Sequence, residues 1–236
     1  MSIILHIETA TSICSVSLAK NGSLIEGTLK ETNEQKSHAA ELTVFIEEIV
    51  KNAGVQFSDI DAVAVSQGPG SYTGLRIGVS TAKGLCYGLS IPMIAISTID
   101  MLAKGMKNAI EPQKNETNIL FCPMVDARRM EVYTAMYNID LQKVIPIEAE
   151  IFESQKYQKL LETHIIYFAG DGAKKCYEQL QHHNARLLPN VFCSSAYMSE
   201  MAYDKYIKKG FEDVAYFEPF YLKDFVAGVS KNSVLG

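Results

Sequence analysis

One pattern constrains this chain more than any other, because it occurs twice. The N-terminus reads as an apolar strand ending in an acid, a short polar turn and a second strand: ILHIE, TATSI, CSVSLAK, with Asn21-Gly22 as the hairpin turn that follows. A similar unit begins at residue 119: ILFCPMVD, ARRM, EVYTAMY, followed by Asn138-Ile139-Asp140. Glu8 and Asp126 end the first strands of the two units, 118 residues apart, which is half of a 236-residue chain. The first unit is followed by an amphipathic helix with Leu42, Phe45, Ile46 and Ile49 at helical spacing. A buried strand at 62–66, a glycine-rich turn, a helix at about 73–89 and a short strand at 92–96 complete the half. The second unit is followed by a strand at 165–169, the turn Gly170-Asp171-Gly172 and a helix at about 173–183. A polar stretch at 104–118 reads as the linker.

Two similar α/β lobes facing one another across a cleft, with mixed sheets and flanking helices, form an actin-like or sugar-kinase-like architecture. In such folds phosphate sits between the two hairpin turns and the acids reach a metal or a water. The turns here are chemically poor for that task. A loop that wraps phosphate uses glycine to let its N–H groups approach. The first turn offers Thr9, Ala10 and Thr11, and the second Ala127, Arg128 and Arg129. Glu8, Thr9, Thr11, Asp126 and Arg128 are therefore remnant candidates for a phosphate or nucleotide site.

The stretch Gly68–Gly78, GPGSYTGLRIG, joins the strand at 62–66 to its helix. It fits neither the P-loop, which needs Gly-Lys at fixed distance, nor Gly-x-Gly-x-x-Gly, which fails at Thr73. Along the helix, Gly74, Gly78, Thr81, Leu85 and Gly88 form one stripe of mostly small residues, and Leu75, Val79, Ala82 and Cys86 an adjacent apolar one. Each helical glycine costs about 1 kcal/mol relative to alanine, and close backbone approach is the usual offset. Periodicity alone leaves two surfaces open: the chain's own sheet or a partner subunit.

Composition narrows the function classes. With a net charge of −5 and basic residues scattered in pairs such as Arg128-Arg129, Lys174-Lys175 and Lys208-Lys209, the chain is expected to bind nucleic acid weakly on its own. Five widely spaced cysteines without a CxxC support neither disulfides nor a zinc ribbon. No apolar run is long enough to span a membrane, and the start MSIILHIETA lacks a basic, cleavable leader. A reduced, cytoplasmic protein is expected. None of the five histidines forms a metal pair or a nucleophile motif: His38 has Glu34 four before it and Leu42 four after, and His182-His183 are adjacent.

IETATSICSVSLAKNG, SQGPGSYTGLRIGVSTAKGL, MVDARRMEVYTAMY and PFYLKDFVA together resemble the TsaB (YeaZ) family, bacterial proteins of the machinery that makes threonylcarbamoyladenosine in tRNA. The resemblance runs from residue 3 to about 227. It implies the ASKHA fold (actin-like ATPase and sugar kinase), with a first lobe at 1–103, a second at 104–215, and a segment of about 216–236 packing back on the first. It implies a non-catalytic subunit that binds the catalytic paralogue TsaD, joined by the ATPase TsaE, and that meets tRNA only through that complex. The implied partner face lies on helices 37–51 and 73–88, through His38, Leu42, Phe45, Gly70, Tyr72, Gly74, Arg76, Gly78, Thr81 and Leu85. The catalytic paralogue carries a His-x3-His metal pair that is missing here. No cofactor is expected, with weak nucleotide binding in the cleft left open, as is a homodimer of the isolated chain. The rival reading is an ATPase or small-molecule kinase using Glu8 and Asp126 with Mg²⁺.

Overall fold

A computed structural model describes residues 1–32, 38–111 and 118–223. The first lobe is built on a mixed sheet. Strands β1 (Ile3–Glu8) and β2 (Cys14–Lys20) form an antiparallel hairpin, and β3 (Ser23–Leu24) and β4 (Lys30–Thr32) both pair with β2. Helix α1 (His38–Asn52) leads to β5 (Ala62–Gly68), which runs parallel to β1. Helix α2 (Tyr72–Leu89) leads to β6 (Met93–Ser97), parallel to β5, and α3 (Thr98–Ala109) follows.

The second lobe repeats this topology. Strands β7 (Ile119–Asp126) and β8 (Glu131–Asn138) form the hairpin, and β9 (Lys143–Ile151) extends it. Helix α4 (Ser154–Leu161) precedes β10 (Ile165–Ala169), which is parallel to β7; α5 (Ala173–Tyr177) precedes β11 (Ala185–Leu187), parallel to β10. Helix α6 (Ser199–Ile207) then takes the place that α3 holds in the first lobe. The strand orders β3–β2–β1–β5–β6 and β11–β10–β7–β8–β9 place β1 and β7, with Glu8 and Asp126 at their ends, in the same position of each sheet.

Strand alternation sorts the residues into layers. On β1 and β2, Leu5, Ile7, Cys14, Val16 and Leu18 pack against Leu42, Ile46 and Ile49 of α1 and Val79, Ala82 and Cys86 of α2. The opposite face contributes Ile4, which joins a core shared by both lobes: Ile99, Leu102 and Met106 of α3 sit among Ile94 and Ile96 of the first sheet and Phe121, Val125 and Tyr137 of the second. A third core fills the far side of the second sheet with Phe168, Tyr157 and Leu161.

This shared core corrects the linker assignment. Residues 104–109 are helical, and Gly105 and Met106 are buried against the opposite lobe, so residue 103 falls inside α3 rather than at a boundary. Residues 112–117 lie outside the described set. The helix expected over 173–183 is limited to Ala173–Tyr177. From residue 211 the chain runs back along the first lobe: Glu212 N–H donates to Met93 O at 2.9 Å and Phe220 N–H to Gln67 O at 2.7 Å.

A polar chain, buried except at Glu31, also ties the lobes. Glu31, Ser15, Ser195, Ser17 and His6 are linked in that order at 2.7, 2.8, 2.9 and 3.3 Å, with Ser195 entering from a 3₁₀ turn (Ser195–Met198) just before α6. His6 is fully buried, and burial lowers its imidazole to about 3.

Candidate functional site

The two hairpin turns face each other across a cleft of about 580 Å³, lined among others by Thr11, Ser12, Ser71 and Tyr72 from the first lobe and Asp126, Arg128, Tyr133 and Asp171 from the second. The segment Phe220–Lys223 forms a further wall.

The first turn is locked by its own helix. Ser71 caps α2, accepting from Gly74 N–H at 3.2 Å, and its N–H donates to Ala10 O at 2.6 Å. Thr9 is fully buried, and its hydroxyl donates to Gly74 O at 2.8 Å. A Cβ at Gly70 would run into Ala10, one at Gly74 into the Thr9 carbonyl, and one at Gly78 into the Thr9 hydroxyl. Gly74 and Gly78 of the stripe, with Gly70 just before the helix, thus let α2 lie directly on the first turn. This corrects the partner-face assignment: Leu42, Gly74 and Gly78 are buried within the chain, and Gly70 is packed on Ala10. Thr81 and Leu85 are half-buried, and Leu85 packs on the first-lobe core.

Glu8 sits beneath the turn rather than in the cleft. It is fully buried; one carboxylate oxygen accepts from Ala10 N–H at 2.5 Å, and the other has no hydrogen-bond partner among the described residues. Burial raises its carboxyl from 4.5 to about 7, against the lowering effect of the Ala10 N–H. Thr11 O accepts from His38 Nε2 at 2.7 Å, which places the proton on that nitrogen and the imidazole at the cleft wall.

The second turn is held by a residue that the sequence reading left as a surface cation. The Lys175 ammonium pairs with Asp126 and donates to Arg129 O at 2.6 Å and Glu131 O at 2.8 Å. Arg128 and Arg129 both have positive φ, 69° and 51°, so the turn is left-handed without glycine. Asp171, in the Gly170-Asp171-Gly172 turn after β10, accepts Asp126 N–H at 2.9 Å and opens onto the cleft. Desolvation raises its carboxyl above the usual range. The signal for Lys175 and Asp171 was positional. The turn after β10 corresponds to the Gly68–Gly70 turn after β5, so both must abut their hairpins.

Outward-facing positions of α1 and α2 make a separate surface: Ala39, Ala40, Thr43 and Val44 from α1, and Thr73, Arg76, Ser80, Gly84, Tyr87 and Gly88 from α2. Tyr87 is 86% exposed, and a Cβ at Gly84 or Gly88 would meet nothing within 4 Å. The half-buried Tyr72 packs under the Arg76 guanidinium, 4.4 Å from the ring centre. Phe45 and His38 are half-buried at the edge of this surface.

Among the described residues no cluster of three or more His, Cys, Asp or Glu could hold a metal ion, and no helix is long and apolar enough to cross a membrane. All five cysteines are free and buried.

The repeated sheet topology and the cleft between acid-tipped strands define a two-lobed protein of the ASKHA class. Comparisons agree. YeaZ from Pseudomonas aeruginosa superposes with a TM-score of 0.75 at 23% identity, over 94% of this chain and 100% of that one. The polyphosphate/ATP-glucomannokinase of Arthrobacter sp. strain KM shares the fold at a TM-score of 0.50 and 11% identity, over 89% of this chain and 100% of that one. Residues 30–231 match the family described as TsaD, tRNA N6-adenosine threonylcarbamoyltransferase. The tRNA threonylcarbamoyladenosine biosynthesis protein TsaB of Escherichia coli K12 is 33% identical over 70% of this chain and 64% of its own length. Its Haemophilus influenzae counterpart is 29% identical over 94% of both chains. The chain belongs to the TsaD family of threonylcarbamoyltransferase-related proteins, and within it to the TsaB (YeaZ) group.

Proposed function

We propose that this chain is a non-catalytic partner subunit in threonylcarbamoyladenosine biosynthesis on tRNA, acting in the cytoplasm by binding a TsaD-type catalytic paralogue, with a TsaE-type ATPase joining the pair. The observation that carries this reading is the outward face of α2. Gly84 and Gly88 each weaken the helix by about 1 kcal/mol relative to alanine, yet among the described residues a Cβ added at either would meet nothing within 4 Å. Glycines at 70, 74 and 78 are explained by the first turn; those at 84 and 88 call for close approach from outside, with Tyr87 beside them as an anchor. A helix face of small and polar residues around one exposed tyrosine suits a protein partner better than a nucleic acid, as does the net charge of −5.

The kinase or ATPase alternative needs Glu8 and Asp126 free to reach a metal. Glu8 is sealed under the turn, and Asp126 is paired with Lys175, an arrangement that supports the non-catalytic reading. The test is a pull-down with the TsaD-type protein of the same cell and a threonylcarbamoyl-transfer assay with and without this chain. Transfer that requires both proteins, and that Gly84→Leu abolishes while the isolated variant still melts cooperatively, is the expected result. No association, or transfer or ATP hydrolysis by this chain alone, overturns the proposal.

A further inference from the structure

The segment that walls the cleft joins the lobes at both ends, with unequal grip. On the first lobe, Phe220 N–H donates to Gln67 O at 2.7 Å. The Phe220 carbonyl oxygen lies only 2.7 Å from where a Cβ of Gly68 would stand, and Gly68 has a φ of +107°, so this docking requires glycine there. The Tyr221 ring packs on Tyr72 of α2, with centres 5.0 Å apart. On the second lobe Lys223 forms an ion pair with Glu131 and acts electrostatically on Tyr133. Glu131 belongs to the second turn: its N–H donates to Arg128 O, and its carbonyl accepts from Ala127 N–H, both at 3.1 Å.

We propose that residues 220–223 are a latch that sets the aperture of the cleft, fixed at Phe220 and Tyr221 and released at Lys223–Glu131. The shared core around α3 and α6 holds the lobes together at one end, so a change in aperture takes place at the other, where the latch lies. From Phe220 to Lys223 the backbone reaches about 10 Å at full extension, and the paired side chains of Lys223 and Glu131 add to that reach; while the pair holds, the turns cannot separate beyond the sum. The side chains of Lys223 and Glu131 are 40% and 21% exposed. An ion pair of this exposure is individually weak and sensitive to salt, so latched and released forms interconvert readily. This inference concerns the isolated chain and is independent of partner binding.

The test uses the full chain labelled for distance measurement at Ala39→Cys and Lys174→Cys, exposed positions on the two sides of the cleft; the native cysteines are all buried. An excess of unlabelled chain removes intermolecular signal. Raising ionic strength from about 0.1 M to about 1 M shortens the screening length from about 10 Å to about 3 Å. The label distance should lengthen and broaden with salt, and Glu131→Gln or Lys223→Met should give the long, salt-insensitive distribution throughout. The reversed pair, Glu131→Lys with Lys223→Glu, should restore the short one at low salt. Cooperative melting confirms that each variant is folded. A Gln or Met variant that keeps the short distance, or that still responds to salt as the parent does, overturns the latch.

Discussion

Replacing Glu8 by glutamine removes a buried charge without changing the shape of the side chain, and its effect should depend on pH in a defined way. The carboxyl titrates near 4.5 when the chain is unfolded and at about 7 when it is folded. The folded state therefore binds the extra proton between those values, and Glu8 withdraws stability as pH rises through that window. At about 1.4 kcal/mol per pH unit, the loss is complete above pH 7 and amounts to about 3 kcal/mol. His6 works in the opposite sense. Its folded value of about 3 lies below 6.5, so it costs stability as pH falls from 6.5 toward 3. Between 4.5 and 6.5 the two slopes nearly cancel in the parent protein, which hides both. Glu8→Gln removes one of them. Urea denaturation of parent and variant from pH 4.5 to pH 8 should show curves that diverge steadily, with the variant gaining about 3 kcal/mol relative to the parent across the range. The amide adds a constant offset from its own hydrogen bonding, so the slope carries the test. Parallel curves would mean that Glu8 is hydrated and titrates normally, and the account of the first turn would be wrong.

Gly74→Ala and Gly78→Ala should each lower stability by about 1–3 kcal/mol, because the added methyl meets the Thr9 backbone or hydroxyl. Gly84→Ala, in open space on the same helix, should raise it by up to about 1 kcal/mol; thermal melts of the three variants check the order, and equal effects would refute it. Ser195→Ala breaks the hydrogen-bonded chain between Ser15 and Ser17 and should cost about 1–3 kcal/mol in urea denaturation; a neutral result would show that the chain adds nothing to lobe docking. Lys175→Met strips the donor from Asp126 and from two turn carbonyls, so it should destabilise the protein more than Asp126→Asn, which leaves the carbonyl bonds in place. The reverse order would refute the assignment of Lys175 as the residue that holds the second turn.

Much of the first lobe was legible because its helices are amphipathic and its strands alternate: Leu42, Ile46 and Ile49, or Leu75, Val79 and Ala82, each report a single buried face. Residues 104–109 read as the start of a polar linker because the helix they end is buried between two sheets. A helix covered on several sides keeps polar residues only where they find partners, as Asp100 does with Tyr137 and Lys143 and Lys104 with Glu200, so its sequence looks like a polar linker. The later part of the second lobe was illegible for a related reason. Its elements β11, α5 and α6 are short, from 3 to 9 residues, too few for a periodicity to register.

The sequence by itself determined the number of lobes, the placing of an acid at the end of each inner strand, and the family, since these reside in local spacing and in motifs read along the chain. Only the tertiary structure decided which way the glycines of α2 face. Positions 74, 78, 84 and 88 look alike in sequence, yet the first two are consumed by Thr9 and the last two are left open. A periodicity defines a stripe on a helix but does not say what lies against it; that depends on residues far away in the chain, brought there by the closing of the sheet. The same holds for Lys175, whose charge matters only because β10 lies beside β7.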